Sequence, residues 1–295
     1  MKHLIKSTSE FVKEASDKER LLYTRKPKWI GYPIAKSIIK KLDELRDYPM
    51  THRMPNVLLV GNSNNGKTAL LKKYLSKNQP YSDEETGELF VPVLYVQAPP
   101  EPDIKRFYSA ILEAMFAPYK SSEKIEPRQR RTFHLIKKLN IRLLIIDEIH
   151  HVLAGTISKQ RMFLNAIRHM SNELEISLVF SGTRDAFNAI QTDNQLANRF
   201  EPKVLSKWNF NEDYLRLLAS FERVMPLKEE SFLYETSMAK KILAKSEGLI
   251  GEISKVLELS AILAIETGVE KITKNIIDSI DYTSPSDRKK AIYRL

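Results

Sequence analysis

The sequence predicts an α/β fold: a parallel β-sheet covered by helices and built around a phosphate-binding loop, followed by a small all-helical domain. Three observations predict it. Short apolar runs alternate with helical patterns of ten or more residues, the mark of a parallel sheet shielded on both faces. One of those runs leads straight into a glycine-containing loop of the form G-x-x-x-x-G-K-[ST]. After Trp208 the strand-like runs stop and only helical periodicity continues.

Composition bounds the possibilities. Of 295 residues, 42 % are hydrophobic and 9 % aromatic, which is enough for a real core and excludes wholesale disorder. There is no cysteine, which excludes a disulfide scaffold, a thiolate zinc site, an iron–sulfur cluster and a cysteine nucleophile. The opening MKHLIKSTSEFVKE breaks into charge before an apolar stretch can form, unlike a signal peptide. Apolar runs such as Leu143–Ile146 and Ala261–Ile265 are too short to cross a bilayer. The expectation is a soluble, cytoplasmic protein with no membrane partner. Lys and Arg number 47 against 37 Asp and Glu, a formal charge of +10. That surplus suggests an anionic partner, although solubility alone accounts for a basic chain. From Lys120 to Arg142 eight basic residues face only Glu123 and Glu126, whereas a solvated helix face usually mixes both signs.

Taken in order, residues 1–55 form a mixed, rather polar extension. Ile34, Ile38, Ile39, Leu42 and Leu45 mark one helix in it, ending near Tyr48-Pro49. Residues 56–207 form the α/β core. Its strands are Asn56–Val60, Val91–Val96, Arg142–Ile146, Ile176–Phe180 and a weaker run at Lys203–Leu205. Its helices are Thr68–Ser76, Pro102–Ala117, Gln129–Leu139 and Lys159–Asn172. Residues 208–282 form the helical domain, with helices at Asn211–Val224, Ser237–Glu247, Glu252–Thr267 and Thr273–Asp281. Asn211, Ser237 and Thr273 are its expected N-caps and Gly268 an expected stop. Residues 283–295 read as a basic, loosely ordered tail carrying Arg288, Lys289, Lys290 and Arg294.

The loop is Gly61-Asn62-Ser63-Asn64-Asn65-Gly66-Lys67-Thr68, and Ala69 follows in the first turn of the next helix. Its glycines let backbone N–H groups turn inward around phosphates, and the helix N-terminus adds positive potential. Lys67 is the side chain to reach the β- and γ-phosphates, and the Thr68 hydroxyl is a Mg²⁺ ligand. At the end of a later apolar run, Leu143-Leu-Ile-Ile-Asp147-Glu148 supplies two carboxylates. Asp147 is placed to hold magnesium and Glu148 to orient or deprotonate the attacking water. The alternative for the pair is an acidic helix opening favoured by the dipole alone. The N-K-x-D stretch that marks guanine is missing, so ATP with Mg²⁺ is the expected ligand. Trp29-Ile-Gly-Tyr32-Pro33, upstream of the loop, is the candidate adenine contact through Tyr32; ordinary packing is its equal alternative.

With these residues in hand the chain resembles AAA+ ATPases, in which a core with the two nucleotide motifs precedes a helical lid. The resemblance implies a polar sensor at the end of the fourth strand, in Val179-Phe-Ser-Gly-Thr183. Thr183 is the first choice and Ser181 the second; the alternative is a simple turn hydroxyl. Leu196-Ala-Asn-Arg199-Phe200 resembles the segment whose arginine enters a neighbour's nucleotide site, where such a guanidinium is worth about 10³–10⁵ in rate. The alternative is a surface arginine paired to Asp193 or Glu201. The lid position that carries an arginine in the family, in a G-x-x-R pattern, is Gly251 here, within Gly248-Leu-Ile-Gly. Gly251 stays among the expected cofactor-binding positions, with lid sensing of nucleotide weak or handled by another residue.

Trp29-Ile-Gly-Tyr, the run from Arg53-Met-Pro-Asn through the phosphate loop, and Gly248-Leu-Ile-Gly-Glu-Ile resemble TniB, the ATPase subunit of certain transposons and a relative of TnsC. The resemblance implies ATP-dependent, largely sequence-independent binding of double-stranded DNA. It also implies homo-oligomerisation into a ring or helical filament, a target-selection role, and as partners a DDE transposase and a TniQ-type adaptor. In such assemblies the duplex is held through its backbone by residues after the second strand. Here those are Lys105 and Arg106, and further on Lys120, Ser121 and Ser122. These side chains neutralise or hydrogen-bond phosphates and read no base; solvated surface lysines are the alternative for each. His150 and His151 lack H-E-x-x-H spacing and read as helix residues. Two rival functions share the nucleotide motifs: a helicase-loader or origin-type AAA+ protein, and a P-loop kinase or signalling switch without nucleic acid.

Overall fold

The computed structural model describes residues 1–191 and 197–292. The chain forms two compact units, one of Ile34–Leu205 and one of Met1–Pro33 with Ser206–Leu295.

The first unit is a five-stranded, all-parallel sheet in the order β4-β5-β6-β1-β7. These strands are β1 (Asn56–Gly61), β4 (Val93–Gln97), β5 (Leu143–Asp147), β6 (Ser177–Gly182) and β7 (Phe200–Leu205). β1, β5 and β6 are buried along their whole length, because helices cover both faces and leave no side for polar alternation. The apolar runs therefore predict the central strands well. β7 reads weakly in sequence for a physical reason: it is an edge strand whose Glu201, Pro202 and Val204 are exposed, and Pro is tolerated at an edge. Helices α3 (Pro33–Arg46), α4 (Lys67–Lys77), α5 (Ile104–Ala114), α6 (Ile125–Lys138), α7 (Ile157–Leu174) and α8 (Arg184–Gln191) belong to this unit. Leu58, Leu94, Phe107, Ile111, Leu144, Phe163, Ile167, Phe180 and Phe200 share one core beneath them.

The strand that separates the loop strand from the acidic strand is β6, which pairs Leu58 with Phe180 on one side and Ile145 with Val179 on the other. β4, the strand between the two motifs in sequence, lies instead at the sheet edge. A two-stranded hairpin, β2 (Tyr81–Ser82) and β3 (Leu89–Phe90), precedes β4. Asp83 shapes its turn by accepting from the Glu85 and Thr86 backbone N–H groups.

The second unit is helical: α1 (Lys6–Glu14), α2 (Asp17–Arg25), α9 (Glu212–Glu222), α10 (Thr236–Ser246), α11 (Ile250–Glu266), α12 (Lys274–Ser279) and α13 (Pro285–Ile292). Asn211 and Thr273 cap α9 and α12 through hydrogen bonds from Tyr214 N–H and Ile276 N–H. Ser237 does not cap α10, which begins one residue earlier after Glu235. Gly268 ends α11 with a φ of 70°. The tail is more ordered than its composition suggests. Glu247 accepts from Ser286 N–H, and Arg288 pairs with Glu252 at 2.5 Å. Arg294 lies outside the described residues.

Candidate active site

β1 delivers the chain into the loop at Gly61, and α4 begins at Lys67 with Gly66 as its N-cap at φ 83°. An L-residue with a side chain pays about 1–2 kcal/mol to sit there, so glycine at 66 is a geometric requirement of the turn. Asn64 also adopts positive φ, at 59°. Asn62, Ser63 and Asn64 are exposed at the loop crest, whereas Asn65 is buried. Its Nδ2 donates to the Leu205 carbonyl at 2.7 Å, tying the loop to the end of β7. Ala69 is exposed in the first turn of α4.

Lys67 is 5 % exposed and folds back over the loop, donating to the Gly61 and Asn62 carbonyls at 2.8 and 2.9 Å. Burial lowers its pKa from the ordinary lysine value, and the nearby carboxylates of Glu148 and Asp147 oppose that shift. The Thr68 hydroxyl donates to Asp147 Oδ2 at 2.7 Å. Asp147, 1 % exposed at the end of β5, also accepts from the Tyr95 hydroxyl at 2.9 Å and from Glu148 N–H at 2.9 Å. Tyr95 was not singled out in the sequence; it stands on β4, whose register sets Gln97 opposite Asp147. Burial and the Asp147 charge together raise its phenol pKa.

Glu148 takes a left-handed conformation, φ 57° and ψ 36°, and caps a short 3₁₀ helix, Ile149–Ala154. The cap lifts its side chain out of the strand direction, and Glu148 Oε2 lies 3.1 Å from His150 Nδ1. Both histidines lie in this helix, and their ring nitrogens gather with the Glu148 carboxylate within 4.8 Å of one another. Sequence spacing alone did not signal that cluster, because a 3₁₀ turn rather than an α-turn creates it.

Thr183 follows the last residue of β6 and is half-buried, its carbonyl accepting from Phe187 N–H at the start of α8. Because β6 lies between β5 and β1, Thr183 sits on the sheet rim between the two nucleotide motifs. Ser181 lies within the strand, fully buried opposite Leu59. Arg199 is at the other end of the sheet: its carbonyl accepts from Asn56 N–H at 3.2 Å, at the start of β1. Its Nη1 donates to Asn172 Oδ1 at 2.5 Å. Glu201 is instead engaged by Lys41 and Lys203. Asp193 and Leu196, named with this segment, lie outside the described residues.

Tyr32 and Gly251 belong to the helical unit. Tyr32 packs edge-on against Trp208 with ring centroids 5.0 Å apart, and burial pushes its phenol up to about 12. Gly251 is half-buried in the first turn of α11. The carbonyl of the preceding Gly248 accepts from Trp208 N–H at 2.7 Å. A Cβ on Gly248 would meet the Trp208 carbonyl oxygen at 2.3 Å, and its φ is 71°.

The residues proposed to meet DNA come together through an arginine that sequence reasoning counted only as surface charge. Arg128 is 2 % exposed and donates to Ser109 Oγ at 2.5 Å, to the Lys105 carbonyl at 3.5 Å and to the Lys120 carbonyl at 2.7 Å. Its guanidinium also lies over the Tyr119 ring. The start of α5 and the turn at 120–122 are thus pinned to α6. Lys120, Ser121 and Ser122 are exposed and Lys105 is half-buried. Arg106 is exposed near Glu101 and Asp103 at 3.6 and 3.7 Å. Arg131 is held by Glu123 and Arg142 by the Tyr48 carbonyl, so the free charge of the basic segment is smaller than its count.

Among the described residues no helix is long and apolar enough to cross a membrane. Comparison with curated protein sequences gave no match. Among solved structures, the chain is similar to ORC1 of Aeropyrum pernix in complex with DNA. The identity is 15 % and the TM-score 0.57, over 94 % of this chain and 71 % of that one. It is similar to Cdc6p of Pyrobaculum aerophilum at 15 % identity and TM-score 0.59, over 88 % and 68 %. It is similar to the ADP form of Aeropyrum pernix ORC2 at 13 % identity and TM-score 0.59, over 88 % and 71 %. At such identities the likeness is one of fold, and the fold is that of AAA+ P-loop ATPases. The family described as "Bacterial TniB protein" matches residues 20–210, well over half the chain, and the protein therefore belongs to the TniB family.

Proposed function

We propose that this chain is an ATPase that binds double-stranded DNA largely without regard to sequence, assembles on it as a ring or helical filament, and regulates target selection in DNA transposition. The observation that carries the nucleotide half is the contact of Thr68 with Asp147 beside the folded-back Lys67. It joins the loop and the acidic strand into one oxygen-rich cup, a donor set that suits a hard cation. In this reading Lys67 exchanges the Gly61 and Asn62 carbonyls for the β- and γ-phosphates of ATP, while backbone N–H groups from Gly61 to Ala69 wrap them. Thr68 and Asp147 would hold Mg²⁺, which would neutralise the charge that develops on the phosphate oxygens. Glu148 accepts the proton of the attacking water, and Thr183 orients that water or the γ-phosphate from the rim. Tyr32 and Gly251 are proposed adenine-side and lid-side contacts, and 208–282 the lid.

The place of Arg199 supports catalysis between neighbours. β1 covers six residues, so about 16 Å separate its ends at roughly 3.3 Å per residue. Arg199 sits at the Asn56 end and its own phosphate loop at the Gly61 end, farther than an arginine side chain spans. A guanidinium so placed serves a second copy. Contact with the duplex backbone is assigned to Lys105, Arg106, Lys120, Ser121 and Ser122. The ORC1 structure of similar fold is a complex with DNA, which fits this assignment. The DDE transposase and the TniQ-type adaptor are the proposed partners, on family grounds.

Fluorescence anisotropy of a labelled duplex, with electron micrographs of the same samples, tests the reading. With an unhydrolysable ATP analogue the expected result is saturable, salt-sensitive binding of unrelated duplexes and regular assemblies along them. Monomers indifferent to duplex under saturating analogue would sink it.

A further inference from the structure

The segment Arg53-Met-Pro, which precedes β1, has no part in the machinery described so far. It lies beside Arg199. Arg53, Pro55, Asn198, Arg199 and Glu201 line one open cavity of about 310 Å³ at the start of β1 and β7. The two sides of this cavity are fixed to each other by the hydrogen bond from Asn56 N–H to the Arg199 carbonyl. Asn56 is itself buried and locked, its Oδ1 accepting from Leu178 N–H at 2.7 Å.

Among the described residues that line the cavity, two guanidinium groups stand against one carboxylate. Arg53 is exposed and has no hydrogen-bond or ion-pair partner among the described residues. Among the described residues, the Arg199 guanidinium donates to the neutral Asn172 amide oxygen. The carboxylate in the wall, Glu201, is occupied from outside by Lys41 at 2.9 Å and Lys203 at 2.5 Å. Hydrogen bonds from these two ammonium groups hold its carboxyl below the usual range. His52, next to Arg53 in the chain, pairs with Glu175 at 2.8 Å. Two guanidinium groups facing one cavity, with the one lining carboxylate among the described residues already engaged by lysines, repel each other unless an anion joins them, and a planar fork of N–H donors suits phosphate oxygens.

We propose that Arg53 and Arg199 together form a receptor for the terminal phosphates of the nucleoside triphosphate bound by a neighbouring copy of this chain, Arg53 being a second arginine supplied in trans. The proposal rests on the trans placement of Arg199 above and adds a residue to it. Arg199 meets the charge that develops at the transferred phosphoryl group, and Arg53 shares that charge from the opposite wall of the cavity.

The test uses the full-length chain and its duplex-stimulated ATPase. Arg53→Ala is expected to bind a fluorescent ATP analogue like the parent chain, to lower kcat about tenfold and to leave KM within about twofold. Arg53→Lys, which keeps the charge and loses the fork, recovers part of the rate. Mixing Arg53→Ala protomers with Glu148→Gln protomers restores turnover, because each inert Glu148→Gln chain lends an intact Arg53 to its neighbour's competent site. A parental rate for Arg53→Ala beside a crippled Arg199→Ala overturns this proposal and leaves the trans reading of Arg199 standing. Failure of both single variants to be rescued by mixing overturns the trans reading itself. A loss of duplex affinity with kcat unchanged at saturating duplex assigns the cavity to the phosphates of DNA and overturns the proposal.

Discussion

The Thr68 hydroxyl donates to Asp147 Oδ2 across 2.7 Å, so two side chains 79 positions apart in sequence are already partners in the folded chain. The acceptor is buried and takes a second bond from Tyr95. The carboxylate is therefore aimed by three elements, α4, β4 and β5, before any substrate arrives. Asp147→Asn retains shape but removes the charge that would hold a divalent cation. The expected outcome is a fall in kcat of at least about 100-fold, with a raised Mg²⁺ requirement and an unaltered circular dichroism spectrum. Tyr95→Phe deletes one hydrogen bond worth about 1 kcal/mol. It should lower the rate modestly without abolishing it. Steady-state ATPase measurements over a Mg²⁺ series decide both.

In the proposed mechanism Lys67 serves nucleotide binding and Glu148 the chemistry. Lys67 is anchored on loop carbonyls, and its replacement by Ala removes the one ammonium group in the cup. Nucleotide binding and duplex-dependent assembly are expected to disappear together. Glu148 holds no part of the loop; its carboxylate points from a left-handed cap toward His150. Glu148→Gln should keep nucleotide and form long-lived duplex complexes, seen as slow dissociation in filter binding. Turnover at the parental rate in that variant would remove Glu148 from the proposed mechanism.

The central sheet and the phosphate loop were legible because their signals are local and strong: fully buried runs, and a loop whose glycines have few substitutes. Features set by tertiary contact were not. α1 and α2 escaped notice because the face of α2 that turns inward carries Arg20, which is fully buried among Glu270, Asp17 and the Pro226 carbonyl. An inward arginine breaks the apolar period by which a helix is read. Arg128 misled in the same way, appearing as one more surface charge. Tyr95 was invisible because its role depends on the register between β4 and β5, which no spacing in the chain encodes. Gly248 was noticed only as part of a motif that lacks its arginine. The structure gives a reason for the glycine itself, since Trp208 passes too close for any side chain.

The Arg20 network makes the helical unit acid-sensitive. Burial alone would raise the Glu270 carboxyl, yet hydrogen bonds from Arg20 and Lys228 outweigh it and bring the pKa from 4.5 to about 2. A carboxyl depressed by folding stabilises the native state above its unfolded pKa, and that contribution is lost as pH falls through the folded value. The window is therefore about pH 4.5 down to about 2. At roughly 1.4 kcal/mol per unit, the contribution at neutral pH is on the order of 3–4 kcal/mol. Glu270→Gln should lower the urea midpoint at pH 7 and flatten its pH dependence across that window. An unchanged dependence would show that other groups govern acid unfolding.

Lys120 and Arg128 lie eight positions apart on the same basic segment, and the structure gives them opposite expectations. Lys120 is exposed, its ammonium group free of any ion pair among the described residues. If it neutralises one phosphate of the duplex, Lys120→Ala reduces the slope of log K against log salt by about 0.9 and weakens unrelated sequences equally. Stability should be untouched. Arg128 is buried, and its removal takes one donor each from Ser109 Oγ and the Lys120 carbonyl. These keep their bonds to the Lys105 carbonyl and from Glu123 N–H, and a hole is left among α5, α6 and the 120–122 turn. Arg128→Ala is expected to cost about 2–4 kcal/mol of folding stability. Any loss of duplex binding should come from the displaced 120–122 turn, with a salt slope close to parental for the fraction that stays folded. Anisotropy titrations at four salt concentrations, paired with urea unfolding, separate the two. A stable Arg128→Ala chain with a reduced slope would move that arginine from the scaffold to the DNA surface.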